Sequence, residues 1–211
     1  MSKPNVVKEA RQRQLIDATI STIGRRGFAG TTLTHVAGAA GLSPAIVNFY
    51  FKGKDQLLAA TLAQLAEEYE SFWMSAIAAA GGAPAAGLDA MVEADFHPAI
   101  CTLEKVAVWF AFWAEAQSRP LYRSVVSELE ERYLAQTRAL CEQLIAEGGY
   151  AGIDAADAAH GINALSDGLW ADLLIDPEAF DHEGAKRICR MFLAAIFSHH
   201  FPRAAEGAAE G

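Results

Sequence analysis

"TTLTHVAGAAGLSPAIVNFYFKGKDQLL", residues 31–58, predicts two short helices and the start of a third, with a tight turn between the first two. Thr31 or Thr32 offers the side-chain oxygen that caps a helix over "LTHVAGAA". Gly41 suits the left-handed backbone that ends such a helix. Ser43 and Pro44 form the preferred cap and first-turn pair for the next one. Asp55 opens a long helix through "QLLAATLAQLAEEYESFWMSAIAAA". Two short helices around a glycine turn make a helix-turn-helix. Ala37 is small where the helices cross, and Val36, Ala40, Leu42 and Val47 can form the small core that fixes their angle. Ser43, Ala45, Asn48, Phe49 and Lys52 then face outward, and such a helix enters the major groove of DNA. Asn48 can read an adenine edge. Tyr50, Lys54 and the amides opening the following helix can hold phosphates. The competing reading is a plain helical hairpin with its aromatics in the core.

Charge separates the two readings. Residues 1–54 carry eight Lys and Arg (Lys3, Lys8, Arg11, Arg13, Arg25, Arg26, Lys52, Lys54) against Glu9 and Asp17, a net +6. The whole chain is −9, so the other 157 of its 211 residues carry −15. A basic head on an acidic body points to a polyanion partner for the head alone.

Upstream, "RQRQLIDATISTIGRRG" shows an apolar helical stripe at Leu15, Ile16, Ile20 and Ile23. Downstream, "GGAPAAG" (81–87) is a loop. Helices are expected near 88–96, 100–118, 120–147, 155–175 and 182–200, separated by His97-Pro98, Arg119-Pro120, Gly148-Gly149 and Asp176-Pro177. No segment alternates with period two, so the predicted fold is all-α: an N-terminal helix-turn-helix domain (1–54), a helical ligand-binding and dimerisation domain (55–203) and a disordered tail (204–211). The longest dense apolar run, "VAVWFAFWA" (106–114), is too short to span a bilayer. With charges where a signal peptide needs an apolar core, a cytoplasmic protein without membrane attachment is expected. Cys101, Cys141 and Cys189 have no metal-ligand spacing and read as buried free thiols, and no cofactor or metal is expected.

From "RQLIDATISTIGRRGFAGTTLTHVAGAAGLSPAIVNFYFKGKDQLLAATL" the head resembles the DNA-binding domain of TetR-type transcriptional regulators, over roughly residues 11–62 without a gap. The shared features are Gly27-Phe28, "TTLTHVA", "AGLS" and "YFKGKDQLL". The resemblance implies a homodimeric repressor on double-stranded operator DNA. It carries Thr32, Thr34, Ser43, Pro44, Ala45, Asn48, Phe49, Tyr50, Lys52 and Lys54 over as DNA-binding positions. Many relatives have Gly-Thr at 45 and 46, Tyr at 48 and His at 50. This chain has Ala45, Ile46, Asn48 and Tyr50, so groove docking is expected but the relatives' operator sequence does not carry over.

In the body, Trp109 and Trp113 share a helix face by their spacing, and Trp170 lies three residues from Asp167. Aromatic rings near a carboxylate attract cations, at roughly 0.5–2 kcal/mol per ring. A pair at helical spacing is more often plain core. "KVAVWFAFWAEAQSRPLYR" and "INALSDGLW" resemble the body of BetI-type repressors, which control glycine betaine synthesis from choline and are relieved by choline. The resemblance nominates Trp109, Trp113, Tyr122, Asp167 and Trp170, with Phe96, as a cage for choline or another quaternary ammonium. The alternative is a same-fold regulator of efflux or lipid metabolism binding an uncharged apolar ligand. The family fold places dimerisation on the last two helices, through Ile162, Leu165, Leu169 and Leu173 on one and Ile188, Phe192, Leu193 and Ile196 on the other, as a four-helix bundle.

Catalysis is not expected. None of the six histidines belongs to a metal-ligand pattern, and no GxSxG, P-loop or GxGxxG fingerprint occurs. "ELEER" (128–132) reads as a solvated helix face.

Overall fold

The computed structural model describes residues 3–201, and the expected tail at 204–211 lies outside them. Among the described residues there are nine α-helices and no strand. They are α1 Lys3–Arg26, α2 Leu33–Ala39, α3 Pro44–Tyr50, α4 Lys54–Ala79, α5 Pro84–Asp95, α6 Leu103–Ala116, α7 Pro120–Gly148, α8 Ala155–Ile175 and α9 His182–Ile196. α1 begins earlier than the apolar stripe predicts, because nothing after Pro4 breaks it and proline is tolerated in a first turn. The same tolerance lets α5 start at Pro84, inside the segment expected to be a loop. α9 stops at Ile196, short of the predicted residue 200.

The helices form two compact units, and the expected boundary at residue 54 does not coincide with them. Residues 3–68 and 102–128 make the first, and residues 69–101 and 129–201 the second. α4 and α7 each begin in the first and continue into the second. In the first unit, Leu15, Ile23, Val36, Val47, Leu62, Val106 and Phe112 are buried. α1 packs on α6 so closely that a Cβ on Gly24 would lie 3.1 Å from the Glu104 side chain.

In the second unit, Trp73, Leu88, Met91, Phe96, Leu144, Leu193 and Phe197 are buried. α8 meets α9 where a Cβ on Gly161 would stand 3.0 Å from the Phe192 ring. Charge joins α5 to α9. The buried Lys186 ammonium lies 2.7 Å from Glu93 and 2.8 Å from Glu183, and Arg190 grips Asp89 with two bonds of 2.6 and 3.1 Å. Cys101, Cys141 and Cys189 are free, buried thiols of this unit. Burial pushes the first two up to about 12 and the third to about 11. No helix among the described residues is long and apolar enough to cross a membrane.

Candidate functional site

The head is built by local rules. Thr32 caps α2 by accepting the His35 amide at 3.2 Å. Gly41 adopts φ 65°, which glycine reaches without a Cβ penalty, and the Leu42 amide bonds the Ala37 carbonyl at 2.9 Å. Gln14 ties α1 to this turn through the Ala40 carbonyl at 2.8 Å. Pro44 occupies the first turn of α3, while Ser43 stands at the cap position without a side-chain cap bond. Val36, Ala37 and Val47 are buried between the helices, with Ala40 and Leu42 half-buried beside them.

The opposite face of α3 is open. Thr32, Thr34, Ser43, Pro44, Ala45, Asn48, Phe49 and Lys52 are exposed, and Tyr50 is half-buried. Phe49 is 79% exposed, with the Tyr50 ring edge-on at 5.2 Å. Lys54 is placed differently from the others. Its ammonium donates to the Phe28 carbonyl at 3.4 Å and sits 5.6 Å from that ring's centre.

Phe28 is the centre of a cluster within the first unit. Its ring meets Phe112 at 5.5 Å and Tyr122 at 6.2 Å, and those two rings meet edge-on at 5.0 Å. Arg119 lies over Tyr122 (5.5 Å) and Phe28 (6.0 Å) and bonds both Asp55 at the start of α4 (3.0 Å) and Glu115 (3.1 Å). Tyr122 is therefore engaged with the head's own ring.

The six cage candidates divide between the units: Trp109, Trp113 and Tyr122 in the first, Phe96, Asp167 and Trp170 in the second. Trp109 is buried, and Trp113 is half-buried against Phe110 at 4.8 Å. The second unit alone assembles a carboxylate box whose centre, Asp95, the sequence reading did not name. Asp95, at the end of α5, is fully buried. Tyr69 of α4 donates to its Oδ1 at 2.7 Å, and Tyr133 of α7 and Ser166 of α8 donate to Oδ2 at 2.9 and 2.8 Å. The Trp170 indole donates to the Asp95 carbonyl at 3.0 Å. The Tyr69 ring stacks on Tyr133 at 6.0 Å and leans on Trp170 at 5.6 Å.

Burial raises the Asp95 carboxyl to about 6, against the pull of its three hydroxyl donors. Asp167 is half-buried one residue beyond Ser166 and accepts the Asn163 amide at 3.3 Å. Burial, then the charges of Asp95 and Glu130, raise it to about 7. None of the ion pairs among the described residues involves Asp95 or Asp167. Asp95 is satisfied by its three hydroxyl donors instead, and both carboxyls hold their protons to higher pH than free ones.

Comparison with known proteins separates the head from the rest of the chain, not one unit from the other. Residues 15–61 match the family model for bacterial regulatory proteins of the tetR family, and residues 84–198 match that for the C-terminal part of BetI-type transcriptional repressors. The HTH-type transcriptional regulator BetI of Burkholderia thailandensis is 34% identical over 200 residues, which cover 94% of this chain and 97% of that one. BetI 2 of Chromohalobacter salexigens is 32% identical over 195 residues, 90% of each chain. Among solved structures, a protein assigned as a transcriptional regulator from Pseudomonas aeruginosa PAO1 superposes with a TM-score of 0.79 at 29% identity, covering 92% of this chain and 94% of that one. A regulator from Saccharomonospora viridis, solved in complex with choline, gives 0.78 at 18% identity over 88% and 96% of the two chains.

Proposed function

The chain belongs to the BetI-type transcriptional repressors of the TetR family, DNA-binding regulators and not enzymes, and from that premise we propose that its effector is choline or a closely related quaternary ammonium. The observation that carries the proposal is the unpaired carboxylate pair, Asp95 and Asp167, set among Tyr69, Tyr133 and Trp170. In this reading Asp167, the more accessible carboxylate, faces the ligand. Asp95 fixes the tyrosines and adds its charge, and Trp170 is oriented by its bond to Asp95. Trp109 and Trp113 stay candidates for further ring contacts. The choline complex of the Saccharomonospora viridis regulator lends support.

Calorimetry with choline and its neutral tert-butyl isostere tests this. Both fill the same volume, while only the cation gains from ring faces and carboxylates. Choline should bind at least about tenfold more tightly, a difference of about 1.4 kcal/mol. Equal affinities would discard the cation reading in favour of an apolar ligand and leave the repressor assignment standing.

At the operator, the open face of α3 is the proposed reading surface, with Asn48 as its base-edge contact. Asn48→Ala should cost about 1–3 kcal/mol on operator and little on random duplex. Unchanged sequence preference in a gel-shift series would reject this orientation of α3.

Repressors of this family act as dimers. Of the proposed seam, Ile162, Leu169, Leu173 and Leu193 are largely covered within their own chain, Leu165, Phe192 and Ile196 are half-buried, and Ile188 is exposed. Met191, 68% exposed on the same face of α9 as Ile188, joins them. Met191→Glu should therefore lower the mass seen in light scattering without unfolding the chain, whereas Leu169→Glu strikes the chain's own core. An intact Met191→Glu dimer would move the interface elsewhere.

A further inference from the structure

We infer that the cleft between the last turn of α1 and the outer face of α2 is a second DNA-backbone site, taking phosphates beyond the groove read by α3. The cleft encloses about 330 Å³ and is lined by Ser21, Arg25, Arg26, Thr34 and His35, with Gly38 and Ala39 beside them. No acid lines it; the Glu104 carboxylate reaches it through the Ser21 hydroxyl at 3.4 Å. Arg25 and Arg26 are exposed and enter no ion pair among those of the described residues.

Arg11, Arg13 and Arg123 are likewise outside the ion pairs, but only Arg25 and Arg26 stand side by side on a cleft lined by hydroxyls. Arg119, Arg132, Arg187 and Arg190 each meet a carboxylate. The C-terminal dipole of α1 explains why two arginines are tolerated there, but not why both lack acids. His35 is fixed by donating Nδ1–H to the Gly30 carbonyl at 2.9 Å. A Cβ on Gly38 would meet nothing within 4 Å, so a sugar-phosphate chain can approach α2 closely. Thr34 belongs both to this cleft and to the face proposed for the operator, which makes the two surfaces continuous. Guanidinium and hydroxyl groups together suit phosphate oxygens.

The inference rests on the DNA-binding reading and is tested with a random-sequence duplex, since a phosphate contact carries no sequence information. Binding is followed by fluorescence anisotropy over a salt series for wild type, the double variant Arg25→Ala/Arg26→Ala, and Arg25→Lys/Arg26→Lys. The double alanine variant should lower the slope of log K against log salt by roughly 1.8, two phosphates at about 0.9 each. The double lysine variant should restore the slope and guards against a folding defect. An unchanged slope in the alanine variant overturns the cleft site while leaving α3 intact; absence of any wild-type duplex binding overturns the DNA reading itself. Inorganic phosphate at constant ionic strength should leave the difference between wild type and variant in place. Its collapse would assign the cleft to free phosphate and overturn the backbone site.

Discussion

Acidifying the protein from about pH 8 to about pH 5 should weaken choline binding by roughly a hundredfold. A quaternary ammonium keeps its charge throughout, so the change lies in the protein. Asp167 has its carboxyl raised to about 7 and Asp95 to about 6. Below those values protons take the place that the cation would hold. The groups facing the pair are Tyr69 of α4, Tyr133 and Glu130 of α7, Ser166 and Asn163 of α8, and the thiols of Cys101 and of Cys189 on α9, none of them basic. The same shifts set the sign for stability. A carboxyl whose folded-state pKa lies above its unfolded value binds more protons when folded, so its contribution to stability falls as pH rises through the folded value. The unliganded protein should gain from this pair as pH drops from about 8 towards 5, and choline should raise the melting temperature most at the alkaline end. Asp167→Asn should flatten the binding profile. A pH-independent affinity in the wild type would remove the carboxylates from the ligand's surroundings.

Arg119→Ala should leave choline binding and operator binding in place and abolish their influence on each other. The guanidinium holds the end of α6, the start of α7 and the start of α4, and lies over Phe28 of the α1–α2 loop. Its pairs are exposed, and exposed pairs contribute little to stability. They nonetheless fix four segments of the first unit to one another, among them the starts of α4 and α7, the two helices that continue into the second unit. In wild type, choline should change operator affinity by roughly 5–150-fold, and operator should change choline affinity by the same factor. In the variant both factors should fall to near one. Arg119→Lys should restore part of the effect, since it keeps the charge but loses the planar stack. An undiminished factor in Arg119→Ala, measured by operator titration with and without choline, would place the coupling elsewhere.

What the sequence revealed and what it hid follow from the range of the forces involved. The turn at Gly41, the cap at Thr32 and the start of α3 at Pro44 are decided within a few residues, so spacing alone exposes them. The aromatic spacing of Trp109 and Trp113 was equally visible, but spacing does not say what a ring faces. Tyr122 reads as a cage residue beside a proline break, and its neighbours turn out to be Phe28, Phe112 and Arg119. Asp95 was invisible for the same reason. Its three donors come from α4, α7 and α8, separated by dozens of residues, and nothing in "EADFHP" announces a buried acid. The apolar patterns of α8 and α9 suggest a seam, but only the packed structure shows that Leu169 of α8 is covered within its own chain while Met191 of α9 is exposed.

The three shielded thiols make the second unit its own clock. A thiol held near 11 or 12 is almost wholly protonated at neutral pH and does not react with an alkylating agent while it stays buried. Each labelling event therefore counts a local opening of the second unit, at the segment after α5 for Cys101, at α7 for Cys141 and at α9 for Cys189, and mass spectrometry can read the three positions separately. Loss of Cys189 protection ahead of Cys141 would mark α9 as the first helix to leave, and slower labelling in choline would measure how far the ligand tightens the unit.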